Sequence, residues 1–352
     1  MLYNLHVLRV IAALAVVYFH LTSDAGLHLD ANIGSRGVDV FFVISGFIIA
    51  FIGAAKPDRF FLRRLIRVVP FYWAATLFVF AIVLVFPNLL RSTRPDWVHL
   101  GYSLLFIPHE TSYSGDVPTL VLGWSLNFEM WFYVWFALSL RLSERWAPLV
   151  CAGFILGFVL VVHALMPDSL ILNFYARPIV LEFLYGIGVF YIFRACTSDK
   201  ARTRTFAPRY LLAAVLIGSF VVLGVGEYHQ GWGLPRYIVA GLPSFLIVLC
   251  ALLLETLYEV TTHNTVVYLI GESSYIVYLV HPYIIYTVLR VLVRGHGVPT
   301  LFIAPLILLL LGLTCAVAIA IHLWFEKPVM AMLRKWLVSS RPTQPALQSQ
   351  PA

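Results

Sequence analysis

Arg9 and His20 stand eleven residues apart in the apolar run LRVIAALAVVYFH (8–20). That spacing is about three helical turns plus 20°, so both side chains share one helix face, roughly 16 Å apart along the axis. The length matches an extended pantetheine arm. A cation at one depth and an imidazole at another therefore suit a thioester that is guided inward and attacked by an activated hydroxyl. The competing account is that Arg9 snorkels to the inner headgroups and His20 to the outer ones.

Further ionisable groups interrupt other apolar runs, where each is costly and so a functional candidate. Asp39 in GVDVFFVISGF (37–47) shares a face with Phe42 and Gly46. An aspartate beside a membrane histidine would fix its tautomer, as the acid of a hydrolytic triad does; a helix-terminal aspartate would instead cap exposed N–H groups. Gly46 lets a helix or ligand approach closely. In GWSLNFEMWFYVWF (123–136), Ser125, Glu129 and Tyr133 form an i, i+4, i+8 stripe. Glu129 suits proton transfer, or else pairing with an arginine of a neighbouring span. Glu182, five residues after Arg177, fits that pairing role better.

Ser274, Tyr278 and His281 stack on one face of GESSYIVYLVHPYIIY (271–286), and Pro282 frees backbone carbonyls that can line a cavity. These three are candidates for the substrate side. The segment FLRRLIRVVP (61–70), read as a loop at the inner surface, packs Arg63, Arg64 and Arg67 into two turns. Arg64 and Arg67 can grip a phosphate between them, or the cluster can anchor to anionic headgroups.

The elements that must hold these groups follow from composition. The chain has 352 residues, of which 61% are hydrophobic and 12% charged, against about 25% charged in a soluble protein. That excludes a soluble globule, a disordered chain and a coiled coil, and the long continuous apolar runs do not suit an outer-membrane barrel. The fold class is all-α, a polytopic membrane protein. A helix crossing the bilayer needs roughly 20 apolar residues, which gives about ten transmembrane helices: 5–22, 37–55, 71–90, 123–142, 147–165, 175–195, 209–227, 236–256, 268–291 and 301–325. Arg9 and the lack of a basic leader argue that 5–22 is an uncleaved span.

With the N-terminus inside, sixteen Lys and Arg fall in cytoplasmic loops and seven outside, which puts both termini in the cytoplasm. The outer segment 91–122 reads as an interfacial or re-entrant cap, and the Pro-, Gln- and Ser-rich tail 339–352 as disordered. The net charge of +7 forms no basic stripe, so no nucleic-acid partner is expected. Cys151, Cys196, Cys250 and Cys315 share no loop and are expected as free thiols, with no metal site. Motifs for nucleotide hydrolysis, zinc proteolysis and serine hydrolysis are missing.

Taken in order, LRVIAALAVVYFH (8–20), GVDVFFVISGF (37–47), RRLIRVVPFYW (63–73), WSLNFEMWFY (124–133), EFLYGIG (182–188), SYIVYLVHP (274–282) and FEKP (325–328) resemble acyltransferase family 3, the membrane O-acyltransferases of surface polysaccharides. The resemblance implies a domain over residues 1–338 that takes an acyl group, usually acetyl, from cytosolic acyl-CoA. It implies delivery to an extracytoplasmic or lipid-linked glycan at a bacterial inner membrane. Arg9 and His20 match the family's essential Arg-x10-His pair, and Arg64 and Arg67 its Arg-x-x-Arg element on the CoA side. Asp39 or Glu129 would orient His20, and His281 falls at a typical family position. Asn127 and Met130 depart from the commoner motif residues, and the extracytoplasmic esterase-like domain of many relatives is not expected here. The partners implied are the bilayer, the acyl-CoA donor (acetyl-CoA or another short acyl-CoA) and the glycan, with a homodimer admissible. The alternative function is a transporter or flippase for a glycan or lipid-linked precursor, which would also want ten helices and buried ionisable groups.

Overall fold

The computed structural model describes residues 2–23, 33–55, 57–86, 93–166, 168–292 and 300–338. The tail 339–352 lies outside them, as do Lys56, Arg91, Arg294 and Arg341 of the charge count. Among the described residues the regular structure is helical, apart from one isolated bridge between Thr111 and Gly115.

The long helices are α1 (Tyr3–Ser23), α2 (Gly37–Ala55), α3 (Phe60–Val85), α5 (Gly123–Leu142), α6 (Ala147–Leu165), α8 (Leu181–Ser198), α10 (Arg209–Tyr228), α11 (Leu242–Tyr258), α12 (Thr265–Leu292) and α13 (Thr300–Ile321). Shorter ones are α4 (Trp97–Leu104), α7 (Leu170–Tyr175), α9 (Lys200–Phe206) and α14 (Lys327–Leu337). Two π-helical stretches, Tyr237–Gly241 and His322–Glu326, lead into α11 and α14.

Among the described residues eight helical stretches are long and apolar enough to cross a membrane, so this is a polytopic membrane protein. Helices α5 and α12, with 20 and 28 residues, have the length but carry the polar stripes and fall outside that set. The third span needs correction. Helix α3 begins at Phe60, so Arg63, Arg64 and Arg67 project from a helix and not from a loop. The sixth span is shifted by three residues to Pro178–Ser198, because residue 175 ends α7 and a 3-10 turn leads into α8.

Close contacts at glycines set how these helices meet. A Cβ on Gly46 would lie 2.2 Å from the Phe183 carbonyl oxygen, and one on Gly186 would lie 2.3 Å from that of Val43. Helices α2 and α8 therefore touch backbone to backbone, which small residues permit in lipid. A Cβ on Gly271 would stand 2.7 Å from the Cβ of His6. That contact registers α12 against α1 and brings Ser274 beside Arg9, with 3.1 Å from the arginine Nε to the serine Oγ. His281 meets His20 further along, so the two helices run parallel.

The described part of the segment between α3 and α5 packs onto α3. Asp96 accepts the N–H groups of Val98 and His99 at the start of α4, a capping arrangement that steadies a short helix. The bond from His99 holds the Asp96 carboxyl below its ordinary range. Tyr72 of α3 donates to the Ser103 carbonyl at 3.0 Å and stacks on Phe106, which ties this segment to that helix.

Candidate active site

A cavity of about 890 Å³ runs between α1, α2, α3, α5 and α12. Seven of the candidate site residues line it: Arg9, Arg63, Arg64, Arg67, Glu129, Ser274 and Tyr278. They come from four helices, and the i, i+3 and i, i+4 spacings within each helix aim them at the common space.

One end of the cavity is cationic, where Lys327 and Arg334 of α14 join the arginines of α3. These arginines differ in what already holds them. Arg67 donates from NH1 to the buried Glu326 carboxylate at 2.7 Å and contacts the Glu272 carbonyl at 3.4 Å. Glu326 in turn takes His322 at 2.6 Å, and the other ring nitrogen of His322 lies 3.7 Å from Glu272. Arg64 packs over the Phe60 ring at 5.7 Å, and its buried Nε has no hydrogen-bond partner among the described residues. A buried guanidinium N–H left unpaired is costly, so Arg64 is the arginine best prepared to take an anion. Arg67 would enter any grip shared with Arg64 from within an existing ion pair.

In the middle of the cavity, Glu129 accepts hydrogen bonds from Ser45 at 3.1 Å and from Tyr133. The expected Ser125–Glu129–Tyr133 stripe is therefore a real lining of the cavity, with its carboxylate held by two hydroxyls. At the far end, the Tyr278 hydroxyl lies 2.9 Å from Ser125 Oγ and 3.1 Å from the Leu122 carbonyl oxygen. The Tyr278 ring is 6.0 Å from that of His281, which is 5.0 Å from that of His20. His281 is fully buried and His20 partly so. The two imidazoles thus form a pair beyond the tyrosine that ends the cavity.

Asp39, expected with Glu129 as a candidate to orient His20, is engaged by another partner. Both of its oxygens bind Arg236, Oδ1 to Nε at 2.8 Å and Oδ2 to NH2 at 2.7 Å. This bidentate pair ties the start of α2 to the stretch before α11, with buried Glu182 beside it. Glu227 reinforces the same end by accepting the N–H groups of Gly34 and Ser35. Arg177, considered as a partner for Glu182, pairs with Asp116 instead.

Sequence reading missed four contributors: His322, Glu272, Lys327 and Arg334. The signal for the first was available, because His322 stands one helical turn before Glu326 of the FEKP motif. Nothing local marks Arg236, which meets Asp39 across 197 residues of chain.

Known proteins resemble this chain over most of its length. The family described as an acyltransferase domain matches residues 2–324. The exopolysaccharide production protein ExoZ of Rhizobium meliloti is 36% identical over 323 residues, 89% of this chain and 94% of that protein. The O-acetyltransferase OatA of Staphylococcus aureus is 26% identical over 320 residues, which cover 82% of this chain but 51% of OatA. The acyltransferase MdmB of Streptomyces mycarofaciens is 27% identical over 318 residues, 78% of this chain and 76% of MdmB. No solved structure gives a significant match.

Proposed function

The chain belongs to acyltransferase family 3, and from that premise we propose that it moves an acetyl group from cytosolic acetyl-CoA to a hydroxyl of an extracytoplasmic or lipid-linked glycan. The reading places ten spans in a bacterial inner membrane, α5 and α12 included, with both termini in the cytoplasm. The observation that carries it is one cavity with a cationic end and, past Tyr278, an imidazole pair.

Each part of the donor has a chemical match. Arg64, supported by Arg63, Arg67, Lys327 and Arg334, holds the phosphates at the cytoplasmic mouth. The pantetheine arm runs along Arg9, Ser274 and Glu129 towards Tyr278. His20 accepts the proton of the attacking hydroxyl, which is too weakly acidic to attack a thioester unaided. A neutral imidazole has a ring nitrogen with a lone pair to take that proton.

The test is direct. Purified protein in lipid nanodiscs, given acetyl-CoA labelled in the acetyl group and a glycan acceptor, releases free CoA and places the label on the sugar. Label that stays on CoA while glycan crosses the membrane would instead support a transporter. Topology has its own check: a cysteine placed at residue 200 is labelled from the cytoplasm only, and labelling from outside would contradict the orientation.

A further inference from the structure

Pro282 lies within α12, one residue after His281. In an α-helix the carbonyl of residue i accepts the N–H of residue i+4. Proline has no N–H, so the Tyr278 carbonyl lacks its helical donor. The His281 ring supplies the replacement: Nδ1 lies 2.9 Å from the Tyr278 oxygen and 3.2 Å from that of Val277. A carbonyl only accepts, so Nδ1 carries the proton, and in the neutral ring Nε2 keeps its lone pair. The ring is fully buried and stands 5.0 Å, centroid to centroid, from His20. The two rings meet at that separation with a tilt of 43°.

We propose that Pro282 and His281 are positioning residues: the proline fixes His281 as the Nδ1–H tautomer, and Nε2 of His281 accepts the ring N–H of His20 as His20 becomes an imidazolium. This rests on the acyl-transfer reading above. The step balances without a co-reactant. The acceptor oxygen bonds to the thioester carbonyl carbon, the C–S bond breaks, and the hydroxyl proton goes to the second nitrogen of His20. The same proton then passes to the departing thiolate, leaving an ester and free CoA thiol. A second imidazole thus does for His20 what an aspartate does in a hydrolytic triad, the part Asp39 is too occupied to play.

The test reads the tautomer before it reads turnover. In full-length protein labelled with ¹⁵N-histidine in nanodiscs, with signals assigned through His281→Asn, Nδ1 of His281 gives the protonated shift and Nε2 the unprotonated one. In Pro282→Ala the restored backbone N–H competes for the Tyr278 carbonyl. His281 then redistributes towards the Nε2–H form, and kcat falls on the order of a hundredfold while acetyl-CoA binding is kept. A proton on Nε2 in the wild type, or an unchanged tautomer in the variant, would overturn the proposal. So would a shifted tautomer with unchanged kcat.

Where Pro282→Ala does not insert, His281→Gln and His281→Asn decide. Glutamine carries an oxygen that can reach the position of Nε2, whereas asparagine reaches only that of Nδ1. Glutamine therefore retains more turnover, and equal rates would overturn the proposal. Because the tautomer is measured in resting protein, its failure is distinct from the failure of the wild type to transfer acetyl, which would strike the functional reading itself.

Discussion

Two buried ionic clusters occupy this helical bundle, and they are built for different ends. Around Asp39 two carboxylates are held inside the protein, with Arg236 on both Asp39 oxygens and the backbone of residues 34 and 35 on Glu227, while the buried Glu182 carboxylate and Arg36 Nε beside them have no hydrogen-bond partner among the described residues. Around the cavity, Arg64 keeps a buried N–H with no partner among the described residues, and the surrounding cations face an open volume of about 890 Å³. A buried charge with its partner in place is scaffolding. A buried charge held beside empty space with donors unspent is a site. Unpaired polar atoms occur in both clusters, and what separates them is the open volume beside Arg64.

Breaking the closed cluster should have the larger effect on the fold. Asp39→Ala leaves Arg236 without its partner, and removing one half of a buried pair costs about 3–5 kcal/mol. The protein should lose thermal stability in detergent, while any that remains folded binds acetyl-CoA as the wild type does. Stability left unchanged would mean the cluster is not scaffolding.

Breaking the open cluster should do the reverse. Arg64→Ala removes a charge-assisted contact of about 1.5–3 kcal/mol, so the KM for acetyl-CoA should rise roughly ten- to a hundredfold. The melting temperature should hardly move. An unchanged KM would return Arg64 to headgroup anchoring.

The smallest effect belongs to a pair in neither cluster. Arg177 and Asp116 are both partly exposed, and exposed pairs contribute about 0–1 kcal/mol. Arg177→Ala should leave stability and transfer close to wild type. A large loss would show that the segment between α3 and α5 acts on the site.

Much of this architecture is legible in the amino-acid sequence, for reasons that differ by element. Spans are readable because lipid demands long apolar runs; α2 and α6 run from 37 to 55 and 147 to 165, as expected. The start of α3 is not, because basic residues that normally mark an interface sit here on the first two turns of a helix. Side chains sharing a face are readable from helical period, so Ser125 with Glu129 and Ser274 with Tyr278 are found together. Pairings between helices are not. Asp39 with Arg236 and Arg67 with Glu326 join residues 197 and 259 apart in the chain, and helical period says nothing about which faces meet. For the same reason the imidazole of His281 beside His20 is not legible from a sequence that offers Asp39 or Glu129 to orient it.

If donor binding and chemistry occupy opposite ends of one cavity, a single substitution should separate them. The decisive measurement is acetyl-CoA affinity and transfer rate, taken together, in His20→Ala stably inserted in nanodiscs. Affinity should be unchanged and the rate lower by about 10²–10⁴-fold, the contribution of a general base. Near-normal transfer, or a loss of affinity that accounts for the lost rate, would contradict the division of the cavity into a binding end and a chemical end.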